Sequence, residues 1–398
     1  MTGGQHSELL QPLASFEIAM PRRILFGRGK HRQASEMILQ QGNRVLLVHG
    51  ADAKRASWLV EALGDADVQA IACKGEPDLA LVEAARETTR EFKPQLVVAL
   101  GGGAALDLGK ALAALVPASR PVTDYLEVVG NGLPIEEAPL PFIAIPTTSG
   151  TGSEVTKNAV IGVPSHRRKV SLRDQRMLAN LVIVDPALTD HCPRNVTLAS
   201  GLDAITQLIE PYISARANPY TDSLCLNALP SALAAIRVLS QREDATARDA
   251  MSWASLCSGL ALANAGLGAV HGFAGVIGGI TGAPHGEICA SLLPAVLETN
   301  HRAMLETGLD TSRIDHVAKL IASEFKVPDA NAFPALANWS AIAGIRSLTE
   351  LGLAESDFAQ VSGEARYSSS MSANPVELSI AQLRYILQRS CQQFLRLT

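Results

Sequence analysis

Unbroken apolar runs and amphipathic stretches alternate through the first half of the chain. "NRVLLVHG" (43–50) and "PQLVVALGGG" (94–103) are runs of branched apolar residues that end in glycine, the pattern of strands buried on both faces. "VQAIAC" reads as a further strand, and "FEIAMPRRILFG" (16–27) as a strand pair entering the fold. Between them, "AKRASWLVEAL", "DLALVEAARETTREF" and "AALDLGKALAALV" space their apolar residues as helices do. Strand and helix in alternation predict a parallel sheet covered by helices. Downstream, "LPFIAIPTTSGTGSEVT" supplies a strand and a loop of small residues. "NAVIGVP" and "KVSLR" make a hairpin around "SHRR", and "LANLVIVDPAL" is one more strand.

Beyond about residue 195 the strand signal nearly vanishes, and helical patterns follow one another, from "DSLCLNALPSALAAIRVLS" to a final "SIAQLRYILQRSCQQFL". The expected organisation is an α/β domain over residues 1–190 and an all-helical domain over residues 191–398. The run from Ser258 to Gly286 is the least polar long stretch, but it is rich in Gly and Ala and broken by Asn264 and His271. It suits packed internal helices better than a membrane span.

Composition narrows the function classes. With 398 residues, 47% hydrophobic and 18% charged, the chain is expected to build two full cores. A net charge of −5, spread without a basic block, argues against nucleic acid and membrane surfaces as partners. "MTGGQHSELLQPL" lacks the basic-then-apolar order of a signal peptide, and the six cysteines show no CxxC spacing. A cytoplasmic protein with free thiols is the expectation.

Three places carry candidate chemistry. In "VVALGGGAALDLGK", Gly101, Gly102 and Gly103 stand between a strand and a helix, where exposed N–H groups and absent Cβ atoms suit a diphosphate or a tight turn. The dinucleotide fingerprint fails at Leu106, and the Walker pattern fails at Ala104 and Ala111. "PTTSGTGSE" (146–154) offers the hydroxyls of Thr147, Thr148 and Thr151 after another strand. In "SGLDAITQLIEPY", Asp203 and Gln207 share a helix face. Ser200 followed by Asp203 reads equally as a capping box at a helix start. His271 and His285, each followed by glycine, are metal ligands or satisfied core histidines; with Asp203 they would make an open site for a divalent ion.

In order and spacing, "FGRG", "GGGAALDLGK", "PFIAIPTTSGTGSEVT", "VDPALT", "GLDAITQLIEPY", "GAVHGF" and "APHGE" resemble the iron-containing (group III) alcohol dehydrogenase family over nearly the whole chain. The resemblance implies a Rossmann-like α/β domain, a dehydroquinate synthase-like helical domain, and a cleft between them for NAD or NADP and a divalent metal, Fe2+ or Zn2+. It assigns Gly101, Gly102, Gly103 and Asp107 to the cofactor, Thr147, Thr148 and Thr151 to its diphosphate and nicotinamide side, and Lys169 to its ribose. Asp203, His271 and His285 match three of the family's four metal ligands. Gln207 stands where the fourth is normally histidine, and an amide oxygen is the weaker donor. Gly275 replaces a histidine of many members, and Gly50 stands where some NAD-specific relatives carry aspartate, so NADP is permitted.

The implied reaction is hydride transfer between a nicotinamide cofactor and a small alcohol/carbonyl pair. Asp203, His271 and His285 would hold the catalytic metal, with Gln207 or water as fourth ligand, and the protein would be a homodimer. Two alternatives are a maleylacetate-type reductase using Arg167, Arg168 or Arg173 on a carboxylate, and a catalytically inactive NAD(P)-binding protein.

Overall fold

The computed structural model of the chain describes residues 15–392. The stretch read for a targeting signal and the end of the last expected helix lie outside the described residues. Strands β1 (Ile24–Phe26), β2 (Arg44–His49), β3 (Asp67–Ala72), β4 (Leu96–Gly101) and β5 (Phe142–Pro146) precede a hairpin of β6 (Asn158–Val163) and β7 (Arg168–Arg173), and β8 (Leu181–Val184) follows. β6 and β7 pair antiparallel, as "NAVIGVP" and "KVSLR" predict. The other six form one parallel sheet in the order β1-β8-β5-β4-β2-β3.

The unbroken apolar runs are explained by burial on both faces. Val45, Leu47, Val98, Ile143 and Ile183 point to one side, onto Ile38 of α1 (Ala34–Leu39) and Leu59 of α2 (Ser57–Leu63). Leu46, Val48, Val97, Ala144 and Val182 point to the other, onto Val82 of α3 (Leu79–Phe92) and Leu108 of α4 (Gly103–Leu115), with the short α5 (Val122–Tyr125) beside them. The chain runs from β2 outward to β3 and then returns to lay β4 on the opposite side of β2. That reversal makes a topological switch point at the carboxyl ends of β2 and β4, which Gly50 and Gly101 mark, the place where such sheets bind ligands.

Helices make up the rest: α6 (Arg194–Ile213), α7 (Pro219–Leu239), α8 (Ala245–Ala265), α9 (Ala269–Thr281), α10 (His285–Thr307), α11 (Ser312–Phe325), α12 (Ala332–Ala343), α13 (Phe358–Ala365) and α14 (Ile380–Cys391). The Gly/Ala-rich run is two helices, α8 and α9, bent by 99° at their junction. All six cysteines are unpaired.

Two local expectations are overturned. Only Ile24–Phe26 of the expected strand pair is a strand; the backbone N–H and C=O of Ala19 bond the side chain of Asn264 instead, and Pro21 has no N–H to give a ladder. Nor does a helix start at Ser200. α6 begins at Arg194 behind Pro193, and Ser200 Oγ turns back to donate to Val196 O at 2.7 Å. Asp203 therefore lies mid-helix, beyond the reach of an N-terminal dipole.

The sheet half and the helical half meet backbone to backbone. Gly152, in the loop after β5, has φ +59°, and a Cβ there would lie 2.4 Å from Cα of Gly259 on α8. Gly259 returns the constraint, since its own Cβ would fall 2.5 Å from Gly152 O. Only glycine satisfies both the left-handed φ and the approach. Gly152→Ala is expected to cost about 2–4 kcal/mol in urea unfolding, combining a strained backbone with overpacking. Gly308→Ala, also at positive φ but with open space around it, should cost only about 1–2 kcal/mol.

Candidate active site

Asp203, Gln207 and Glu210 occupy one stripe of α6 at helical spacing, and all three are buried. Buried polar groups need partners, and α9 and α10 bring them. Glu210 Oε1 accepts from Val270 N at 2.7 Å, in the first turn of α9. Its Oε2 lies 2.6 Å from Nδ1 of His271. In the neutral ring this carboxylate holds the proton on Nδ1, so that Nε2 is the nitrogen with a lone pair to give. Nε2 lies 3.3 Å from Oδ1 of Asp203, and Nε2 of His285, the first residue of α10, lies 3.9 Å from the same oxygen.

Asp203 Oδ1 is buried without a hydrogen bond, while Oδ2 accepts from Gln207 Nε2 at 2.9 Å. An orphaned carboxylate oxygen facing two imidazole nitrogens fits a divalent ion, which has a use for each lone pair. The electrostatics agree. Burial disfavours the charged form of both rings, yet Cys289, Glu210 and Asp203 hold His271 well above the usual imidazole range. Cys289 and Asp203 likewise raise His285 to about 9. Burial opposes the Asp203 charge too, but the two histidines keep it below the ordinary carboxylate range. The pocket attracts positive charge.

The glycine loop lies directly beside the hydroxyl loop. A Cβ on Gly102 would stand 3.2 Å from Thr148 Oγ1, and one on Gly103 2.6 Å from Thr151 Oγ1. Thr147 N donates to Gly101 O at 2.9 Å. No side chain caps the start of α4, so its first N–H groups are left for an anion beside these hydroxyls, in a cradle that a Cβ on Gly102 or Gly103 would crowd. Asp107 braces this arrangement from behind: Oδ1 accepts from Ser153 Oγ, and Oδ2 from Val160 N at 3.1 Å. Lys110, fully buried, ties the same loop down by donating to Ser153 O, Thr156 Oγ1 and Asn158 O at 2.6–2.9 Å.

Lys169, on β7, pairs with Glu76 and reaches α9 beside Gly278. Gln207 meets Asp203, as their spacing predicts, but its Oε1 accepts from Ser258 Oγ at 3.2 Å. Around Gly275, one turn beyond His271, there is open space. Two residues of the cluster escape sequence reasoning. Glu210 is the next member of the Asp203–Gln207 stripe, and Cys289 stands one turn after His285 in "HGEIC". Both spacings are visible in the chain, without any sign of which way they face.

A family model described as iron-containing alcohol dehydrogenase matches residues 21–186, and one for the C-terminal part of the Fe-containing alcohol dehydrogenase family matches residues 197–391. The chain is 32% identical to Alcohol dehydrogenase 4 of Saccharomyces cerevisiae over 79% of its own length and 80% of that protein's. It is 41% identical to Long-chain-alcohol dehydrogenase 1 of Geobacillus thermodenitrificans over a stretch spanning 56% of each chain. The crystal structure of a 1,3-propanediol oxidoreductase superposes with a TM-score of 0.85 at 26% identity, covering 95% of this chain and 100% of that one.

Two outcomes follow from the geometry. Glu210→Gln should weaken divalent-metal binding about 10- to 100-fold in equilibrium dialysis, because His271 loses the partner that fixes its tautomer. Glu154, buried beside the hydroxyl loop, is pushed by burial from 4.5 up to about 7, against the opposing pull of Lys110. The folded state then holds the extra proton, so this group's stabilisation is complete below about pH 4.5 and lost as pH rises through about 7. Glu154→Gln should therefore gain on the wild type by about 1–3 kcal/mol between pH 5 and pH 8 in urea unfolding.

Proposed function

The chain belongs to the iron-containing alcohol dehydrogenase family, and we propose that it transfers hydride between NAD(P) and a small alcohol/carbonyl pair at a metal held by Asp203, His271 and His285. The observation that carries this reading is the unpartnered Oδ1 of Asp203, set between two imidazole nitrogens. The bound ion would supply Lewis acidity, stabilising charge on the substrate oxygen in either direction, and the nicotinamide the hydride.

The residues of the chain do the positioning. The start of α4 and the hydroxyls of Thr147, Thr148 and Thr151 bind the cofactor diphosphate, and the switch point at Gly50 and Gly101 takes its adenosine end. Gly50 carries no carboxylate to repel a 2′-phosphate, and Lys54 and Arg55 are exposed nearby, so NADP is accepted as well as NAD. Lys169 contacts the cofactor ribose. His271, Gly275 and Gly278 form one stripe of α9 that runs from the metal ligands to Lys169 and leaves room for a flat ring. With glycine at 275, no side chain there holds a proton, and the proton leaves through ribose hydroxyls and water.

A carboxylate-bearing substrate is less well served. Arg168 pairs with Glu364 at 3.1 Å and Arg173 with Glu127 at 3.0 Å, so these two guanidinium groups are engaged by the protein's own carboxylates. The test is turnover of a panel of primary alcohols, aldehydes and keto acids with NADH and NADPH, alongside metal analysis. Asp203→Asn should lower kcat/KM by about 10²–10⁴-fold with a near-native melting temperature. Turnover that survives both this substitution and chelation would refute the metal reading.

A further inference from the structure

The polar stripe of α6 offers only one side chain whose free donor atom faces the two imidazoles, and that is Asp203. Gln207 is committed on both sides. Its NH₂ donates to Asp203 Oδ2 at 2.9 Å, and its oxygen accepts from Ser258 Oγ at 3.2 Å, toward α8. Turning the amide over would set its oxygen against the Asp203 carboxylate, acceptor facing acceptor, in place of the 2.9 Å hydrogen bond. An –NH₂ has no lone pair for a metal.

On the opposite wall, Cys289 is fully buried one turn after His285. Its Sγ lies 3.6 Å from His285 Nε2 and 3.8 Å from His271 Nε2. Together with the oxygen of Asp203, these donor atoms all lie within 4.8 Å of one another. A tetrahedral ion with bonds of about 2.0–2.3 Å to oxygen, nitrogen and sulfur needs donor-to-donor edges of roughly 3.3–3.6 Å. Four of the six edges, 3.3 and 3.9 Å from the carboxylate and 3.6 and 3.8 Å from the sulfur, run from that figure to a few tenths of an ångström above it, and the other two lie within 4.8 Å. The other buried cysteines have no such setting; Cys257, for example, is driven up to about 12 by burial alone.

We infer that Cys289 is the fourth protein ligand, as a thiolate, so that the centre is Asp203–His271–His285–Cys289 with Gln207 as the group that steadies the carboxylate. This rests on the metal-holding reading above. Binding displaces the thiol proton to solvent and forms one metal–sulfur bond, with no change of oxidation state. A mixed sulfur, nitrogen and oxygen set is softer than one of imidazoles and carboxylate, and it favours Zn²⁺ over Fe²⁺.

The test is zinc-edge X-ray absorption on the intact, zinc-loaded wild type, with cobalt substitution as a second readout. One sulfur at about 2.3 Å beside nitrogen and oxygen at about 2.0–2.1 Å is expected. The Co²⁺ protein should show a near-ultraviolet sulfur-to-metal charge-transfer band that Cys289→Ser abolishes and Gln207→Leu retains. Zinc affinity of Cys289→Ser should fall at least about tenfold. Stoichiometric metal with only nitrogen and oxygen neighbours, or a band that survives Cys289→Ser, overturns the thiolate and leaves the metal site standing. Failure to bind any metal overturns both.

Discussion

The contact between Gly152 and Gly259 brings the sheet half and the helical half together at backbone distance. It draws the loop after β5 down onto α8, and another glycine of that loop, Gly150, lies as close to Ser200, one turn ahead of Asp203 on α6. The hydroxyl loop is thereby held against the helix that carries the buried carboxylate of Asp203. In the hydride transfer proposed above, the partners must come within van der Waals reach, so a shift at this contact would carry through to the reacting atoms. Lys110 and Asp107 hold the same loop from the sheet side. The loop is fixed from both halves and does not have to be ordered when a ligand arrives.

A second constraint is the pair of carboxylates buried seven residues apart on α6. Glu210 is satisfied by the backbone of α9 and by His271. Asp203 accepts a hydrogen bond on Oδ2 only, and its Oδ1 has just the two imidazole rings in ion-pair range. Their roles differ accordingly, since Glu210 positions an imidazole while Asp203 keeps a lone pair in reserve. A cation held at Asp203, as proposed, would bind the folded state alone and so link folding to metal loading.

How much of this was legible in the chain depended on how local the cause was. The parallel sheet was readable because strands buried on both faces leave unbroken apolar runs, as in "RVLLV" and "LVVAL". Phe16, Ile18 and Met20 alternate as a strand would, but a single distant side chain, Asn264, takes the backbone groups that a ladder would have used. Ser200 and Asp203 carry the chemistry of a helix start and lie mid-helix, because a serine hydroxyl can bond backward as readily as it caps. Asp203 and Gln207 meet as their spacing says. Glu210 and Cys289 are as regularly spaced, yet a helix pattern does not state which polar residue faces inward. Only the packing of α9 and α10 on α6 decides that.

Gly275 has a consequence of a different kind. One turn from His271, it has nothing within 4 Å of where a side chain would begin, whereas Gly272 beside it is closed in by Met371 and Ser368. Most positions around this cleft are held by neighbours on several elements, so a change at one demands changes at others. Residue 275 is free of that debt. It is a position where a single substitution can add bulk, polarity or a proton carrier while the scaffold stays as it is. An alcohol dehydrogenase with such a degree of freedom one turn from His271 is open to adaptation, by nature or by design.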